Sequence, residues 1–405
     1  MTPLIFVSNT NELYEFPKMF FVYFLGVVIV SSFLIYRVFR PKPLKFPSIF
    51  VLLVLFSTVL STIFSEHLYT SVWGYYTRFN GGLVSVLVFF GIYFSAVNLF
   101  SKEDLCKLLK FSLLPIIPIS IYGISQHYGF QFLWGESPVG RAFSTFGQPN
   151  WLAQYIGMLL LVCLFLVVSE GRSIFWSAVY LLGFGCLWFT YSVSGLVGFV
   201  TGFCVFMVLF FRSKKFDKGT LRVVLLLVFV SVLIAVFNLG LFKDRLHDVF
   251  YDMRKLFSRT ETYALEETTT PQDYKISDPG FIRFGLWKGT WQLITSSPKA
   301  FFLGTGPETY PYAFQPFRPR QLNYSSEWDF VFNKPHNYYL QIWSEFGLFG
   351  LAVGLLIISW TLRKAPSFLL PGFVAFYVSN FFGWPVVATS LLFWLWLAYL
   401  EVSYD

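Results

Sequence analysis

His336 is one of four histidines in the chain and stands in Pro335-His336-Asn337, directly before a long apolar run. Asn337 is of the residue type that caps a helix start. A helix N-terminus favours anions, and a histidine placed there can contact a phosphate or move a proton near neutral pH. The alternative for such a histidine is an interfacial role satisfied by backbone groups. Tyr338 follows at once, and Glu345 lies nine residues beyond His336. On a continuous helix that spacing is half a turn out of phase, so Glu345 is expected to orient a neighbour, not to pair with His336. Gly347 and Gly350, just beyond, can let the helix bend. Five arginines lie in apolar or glycine-rich surroundings: Arg78 in Tyr76-Thr77-Arg78-Phe79-Asn80-Gly81, Arg141 in Gly140-Arg141-Ala142-Phe143-Ser144-Thr145, Arg283, Arg318 and Arg320. A guanidinium fork matches phosphate oxygens in bidentate fashion. Any one of them alone is more often solvated or turned to headgroups, so convergence of several is what would carry chemistry.

The elements that must position these residues are membrane helices. The chain of 405 residues is 56% hydrophobic and 13% charged, against about 25% charged for a soluble domain, and its mean hydropathy is +0.61. Fifty-two Phe and 13 Trp exceed what a soluble core buries, whereas a bilayer and its interfaces accept them. Eleven apolar segments are long enough to be read as spans: Met19–Phe39, Phe46–Phe64, Leu83–Phe100, Leu105–Ser125, Trp151–Val168, Ile174–Thr190, Gly195–Phe211, Leu221–Phe242, Gly347–Leu362, Phe368–Phe381 and Thr389–Val402. Alternation of period two does not recur, which argues against a β-barrel, and there is no internal repeat. The expected fold is an all-α polytopic bundle of about 11 transmembrane helices, divided into N-terminal spans (1–242), a large loop (243–346) and C-terminal spans (347–405). The first run is too long for a signal-peptide core and lacks an A-x-A exit, so it is expected to stay as a span.

Basic residues set the orientation. Arg37, Arg40, Lys42 and Lys45 follow the first span, Arg212, Lys214, Lys215, Lys218 and Arg222 the seventh, and Arg363 and Lys364 the ninth. With eleven spans these fall on one side, read as cytoplasmic, with the C-terminus. The segments Ser65–Gly82, Gln126–Asn150 and Lys243–Phe346 are then extracytoplasmic. The last opens with an amphipathic stretch, Lys243–Arg259, and a polar one, Thr260–Gly280. A second amphipathic helix, Phe281–Thr295, and a Pro-rich aromatic segment, Ser296–Phe332, follow. The five arginines all fall on this outer side, against the usual charge distribution, where they would suit a lipid-linked phosphate or pyrophosphate.

Other chemistries find no support. There is no G-x-x-x-x-G-K-[ST], and Gly304-Thr305-Gly306 reads as a turn. There is no H-E-x-x-H, and Cys106, Cys163, Cys186 and Cys204 form no C-x-x-C pair, so neither metal nor disulfide is expected. The net charge of +8 is accounted for by the positive-inside rule and not by nucleic acid. The spans hold almost no ionisable residue at mid-depth, where coupled transporters need them.

Several of these residues form a recognisable pattern. Pro335-His336-Asn337-Tyr338-Tyr339-Leu340, continued by Glu345-Phe346-Gly347-Leu348-Phe349-Gly350, resembles the H-N-x-x-L…E-x-G-x-x-G signature of the O-antigen ligase and Wzy polymerase superfamily. Arg283 four residues before Trp287, then Pro298, Gly304-Thr305-Gly306 and Tyr310, resembles the same family upstream. Gly140 to Asn150 is similar to its G-R-x-x-S-T-x-G-N-P-N segment and Tyr76 to Gly81 to its Y-x-R-x-x-G turn. The sequence departs from the pattern at Ser192-Val193-Ser194-Gly195, where many relatives carry Ser-Arg, and at Gln148, usually Asn. Eleven spans is also one fewer than relatives often show.

The resemblance implies a GT-C-like glycosyltransferase of the cell (inner) membrane, acting in polysaccharide or lipopolysaccharide biosynthesis without metal or other cofactor and inverting the anomeric centre. It implies a glycan donor on undecaprenyl pyrophosphate and an acceptor hydroxyl on lipid A core, a glycan chain or a protein. On that model Arg283 and Arg141 neutralise the leaving group and His336 is the base or a phosphate contact. Arg78, Arg318, Arg320, Asn337, Tyr338 and Glu345 are expected to bind substrate. Two other readings stand beside it: a transporter or flippase of a lipid-linked glycan, marked by polar residues lining several spans, and a non-catalytic membrane protein whose loop binds a partner.

Overall fold

A computed structural model of the protein describes residues 1–10, 12–41, 43–130, 140–213, 217–240, 242–243, 279–324 and 327–404. All of the expected amphipathic stretch Lys243–Arg259 but its first residue, and nearly all of the polar stretch Thr260–Gly280, lie outside the described residues. Among those described, the regular structure is helical throughout: α1 (Glu15–Phe39), α2 (Ile49–Ile63), α3 (Leu68–Trp73), α4 (Leu83–Leu99), α5 (Lys102–Phe111), α6 (Ile116–His127), α7 (Pro149–Ser169), α8 (Ile174–Phe189), α9 (Val193–Arg212) and α10 (Lys218–Phe237) come first. Then follow α11 (Pro279–Ile294), α12 (Pro298–Phe302), α13 (Tyr310–Ala313), α14 (Tyr338–Lys364), α15 (Leu370–Asn380) and α16 (Val387–Tyr404), with short 3-10 turns between.

Among the described residues, six helical stretches are long and apolar enough to cross a membrane: α1, α5 with α6, α7, α9, α10 and α14. Shorter apolar helices fall on α2, α4, α8 and α16. The protein is therefore a multi-pass membrane protein. Such helices satisfy their backbone hydrogen bonds internally, which lipid requires. The fourth expected segment is not one helix. It divides into α5 and α6 around Pro115, since a proline has no N–H to continue the ladder and its ring clashes with the preceding turn.

α7 is the central helix, with 89% of its most apolar window buried. It packs on α8, α9 and α15, while α14 lies along α2, and α4 lies between α1 and α16. The most extensive helix packing among the described residues is α9 on α15. Gly198 and Gly202, one turn apart, leave no room for a Cβ against the carbonyls of Ala375 and Pro371, so small residues let the backbones touch, as membrane helix pairs require.

α14 is bent at Gly347, whose backbone (φ 69°, ψ −172°) is not helical. The bend frees carbonyls of the preceding turn, and these are recaptured. Thr305 N–H donates to Ser344 O (2.9 Å) and Gly306 N–H to Glu345 O (3.0 Å), and Ser61 Oγ–H adds a bond to Glu345 O (2.6 Å). Gly304-Thr305-Gly306 is thus a clamp on the kinked helix and more than the turn expected of it. A buried, unpaired carbonyl would cost as much as a lost hydrogen bond.

Candidate active site

Four separate parts of the chain meet at one end of the bundle. The first is the turn joining α3 to α4. Gly74 (φ 90°) and Gly81 (φ 83°) let it fold back on itself, Phe79 is held at φ 49°, and Tyr23 Oη–H donates to the Phe79 carbonyl (2.6 Å). The turn presents Arg78, whose guanidinium carbon lies 4.9 Å from the ring centre of Trp151 at the start of α7. Its Nε is buried and has no hydrogen-bond partner.

The second part carries His336. Its backbone is left-handed (φ 54°), a region few residues other than glycine adopt and one that clusters at functional sites. Asn337 then caps α14 as expected, accepting from the N–H groups of Tyr339 (3.0 Å) and Leu340 (3.1 Å). The imidazole meets Trp384 edge to face at 4.9 Å, and Trp384 meets Trp151 in the same way at 5.9 Å. Arg78, Trp151, Trp384 and His336 therefore form one continuous aromatic and cationic wall.

The third part is α11. Its Trp287 Nε1–H donates to the carbonyl of Pro335 (3.0 Å), fixing the helix against the His336 segment. Arg283, four residues earlier, is on the same face of α11. Burial pulls its guanidinium below the ordinary value. His336 is held neutral, pushed down to about 3, first by burial and then by the positive charges of Arg283 and Arg78. Both cations thus lie within electrostatic reach of the one imidazole.

The fourth part carries Arg141. Its Nε–H donates to Thr190 O (2.8 Å) and an Nη–H to Asn150 Oδ1 (3.5 Å). Asn150 Oδ1 also accepts from Ser192 Oγ–H (2.8 Å), and Ser192 lies 3.1 Å from Ser194. The serine turn Ser192–Ser194 is thereby tied to Arg141 through Asn150. Asn150, Trp151, Ser194, His336 and Trp384 share one narrow cleft, so Arg141 stands behind the wall that faces His336.

The remaining expected residues are placed elsewhere. Glu345 is buried beside Lys334, which pairs with Glu308 and lies 4.0 Å from Glu345. Gln341 Nε2–H donates to Glu345 Oε2 (3.2 Å), so Glu345 joins this cluster and not His336, in keeping with its helical phase. Tyr338 lines the large cavity beside that cluster. Arg318 donates to the carbonyls of Trp328 (2.7 Å) and Phe330 (3.2 Å) and lies 4.9 Å from the Phe332 ring; it knits the 318–332 loop. Arg320 is exposed on a short 3-10 turn. None of these contacts joins Arg318 or Arg320 to the His336 cluster. Among the described residues no three His, Cys, Asp or Glu side chains come together as metal ligands.

Sequence reasoning passed over Trp151, Trp384, Lys334 and Glu308. The tryptophans carry no local signal in a chain with 13 of them. Lys334 could have been noticed: it is a lone cation two residues before His336, after the apolar Phe330-Val331-Phe332.

Residues 178–355, from within α8 to the middle of α14, match the family model described as O-Antigen ligase. That segment holds Arg283, His336 and Glu345, while Arg78 and Arg141 precede it. No curated protein and no solved structure matches the chain.

Proposed function

From residues 178–355, which carry the O-antigen ligase family domain, we infer that this membrane protein transfers a glycan from undecaprenyl pyrophosphate to an acceptor hydroxyl at the outer face of the cell membrane. The observation that carries the reading is the geometry that brings Arg78, through Trp151 and Trp384, and the helix bearing Arg283, through Trp287, to the His336 segment.

The chemistry follows from that charge arrangement. The acceptor oxygen attacks the anomeric carbon, the bond from that carbon to the phosphate oxygen breaks, and its electron pair leaves with the pyrophosphate. The acceptor proton passes to a ring nitrogen of His336. Without donor, an imidazolium between two guanidinium groups is strongly disfavoured. With pyrophosphate bound, its negative charge offsets both arginines and the imidazole can accept a proton. Donor binding thus switches on the base. Pyrophosphate is already a good leaving group, so positioning and charge stabilisation are what the protein must add. Arg283 and Arg78 supply the charge, and Arg141 fixes Asn150 and the serine turn opposite. Backside approach of the acceptor gives inversion.

The test is turnover in reconstituted membranes with a glycan on undecaprenyl pyrophosphate and candidate acceptors. Wild type releases undecaprenyl pyrophosphate and an acceptor gains the glycan mass, whereas His336→Ala and Arg283→Ala do not. Equal release by all three proteins would sink the assignment.

A further inference from the structure

Beside the His336 cleft, and sharing Arg78 and Trp384 with its wall, lies a partly open cavity of about 240 Å³ lined by α1, α2, α4 and α14–α16. It is large enough for a small organic ligand, since one water needs only roughly 10–15 Å³ on the same measure. Most of its wall is apolar or aromatic, including Phe89, Phe346, Phe376 and Trp394. Its polar end is unusual in what it leaves unmade. Glu15, Gln341 and Glu345 all line it, and each has one oxygen, Oε1, shut away from solvent with no donor within hydrogen-bond distance; the cations nearest to two of them are Lys18, 3.6 Å from Glu15 Oε1, and Lys334, 4.0 Å from Glu345 Oε1. These residues are themselves 1%, 5% and 1% exposed. Arg78, at the junction with the His336 cleft, keeps the opposite deficit, an Nε–H without an acceptor. Buried polar atoms are nearly always satisfied, so this end is built for a ligand that brings several donors and at least one acceptor.

Charge narrows the class. Glu15 pairs with Lys18 (3.6 Å), and Glu308 and Glu345 with Lys334. Three carboxylates at this end thus stand against three cations, Lys18, Lys334 and Arg78, so a cationic ligand gains little. An anion would satisfy Arg78 but meet three acceptor oxygens. A neutral ring bearing several hydroxyls satisfies both deficits, donating to the three oxygens and accepting from Arg78. Its C–H faces suit the aromatic wall, in the usual division between an apolar pocket and a few placed polar groups.

We propose that this cavity is a sugar site: Glu15, Gln341 and Glu345 hold the hydroxyls of one neutral sugar ring of a substrate glycan beside the transfer centre. The proposal rests on the transferase reading for its purpose but not for its test. That test is saturation-transfer NMR with methyl glycosides of neutral hexoses on the full chain in nanodiscs. Wild type should show transfer to ring protons, and Gln341→Leu should weaken the apparent affinity about tenfold. Val54→Trp, which fills the cavity from α2 without removing any polar group, should abolish the signal. His336→Ala, silent in turnover, should bind as wild type does, which separates failure of this site from failure of the catalytic assignment. Adding donor on undecaprenyl pyrophosphate identifies the ring: a signal lost on addition assigns the site to the donor's sugar, and one that persists assigns it to the acceptor's. No transfer from any hexose to wild type at 0.1 M glycoside, or equal transfer to wild type and both cavity variants, would overturn the proposal.

Discussion

At the scale of single residues, the site is governed by the state of one imidazole. His336 is pushed down to about 3 by burial and by the charges of Arg283 and Arg78, so it is neutral across the physiological range. Its ring resonances should not titrate between pH 5 and 8 in the free protein. With a pyrophosphate ligand bound, the arginine charges are offset and the midpoint should rise by one unit or more, as histidine NMR would show; an unchanged midpoint would contradict the donor-gated base. The linkage has a definite sign. The folded value lies below the unfolded value of about 6.5, so the unfolded chain takes up the proton first. His336 is without effect on stability above pH 6.5 and costs stability as the pH falls below it, towards 3. Removing the imidazole should slow turnover by roughly 10²–10⁴-fold, the usual contribution of a positioned base. Arg283→Lys tests a different property. It keeps the charge but loses the planar fork, so a bidentate phosphate contact predicts a fall in kcat/KM of roughly tenfold or more. Full activity in that variant would mean that charge alone suffices.

At the scale of elements, the site depends on two devices that hold loop to helix. One is the bend at Gly347. Its φ and ψ belong to a region reserved for glycine, and a Cβ there would collide with the carbonyl of Phe302. Gly347→Ala should cost roughly 1–3 kcal/mol from backbone strain alone, with the collision added, and should lower the thermal midpoint in detergent. A midpoint equal to wild type would show that the bend is not needed. The other is Trp287, whose bond to Pro335 O keeps α11 in register with His336. Trp287→Phe should keep the fold and reduce turnover, because Arg283 and His336 lose their shared anchor. How much of this was legible beforehand differs by kind of signal. Asn337 as a cap, Gly347 as a bend and the separation of Glu345 from His336 follow from local rules of helix geometry, and the structure has them. The division of the fourth segment at Pro115 was also present in the sequence, since Leu105–Ser125 holds Lys107, Lys110, Pro115 and Pro118, but its overall hydropathy reads as one span. Trp151, Trp384, Glu15 and Gln341 were not legible, because their roles come from which helices touch. A tryptophan facing lipid and one facing an arginine look alike in a single chain.

At the scale of the whole molecule, the reading stands on which side of the membrane the His336 end occupies. The basic residues that end α1, α9 and α14, Arg37, Arg212, Arg363 and Lys364, argue that those ends are cytoplasmic. The N-terminus of α14, with His336 just before it, is then at the opposite surface. This reading puts Arg78, Arg141, Arg283, Arg318 and Arg320 on the outer side, against the general distribution, a cost that makes sense only if they meet an anion there. Orientation is open to direct measurement. With Cys106, Cys163, Cys186 and Cys204 replaced by serine, Arg320→Cys should react with a membrane-impermeant maleimide on intact cells, since that residue is exposed on the loop. Arg40→Cys, just past α1 and also exposed, should react only after the membrane is opened. The reverse pattern would place Arg78, Arg283 and His336 in the cytoplasm. A lipid-linked donor displayed outside would then be out of reach, and the transferase reading would fail with every side-chain distance unchanged, because a single flip of the bundle separates the site from its substrate.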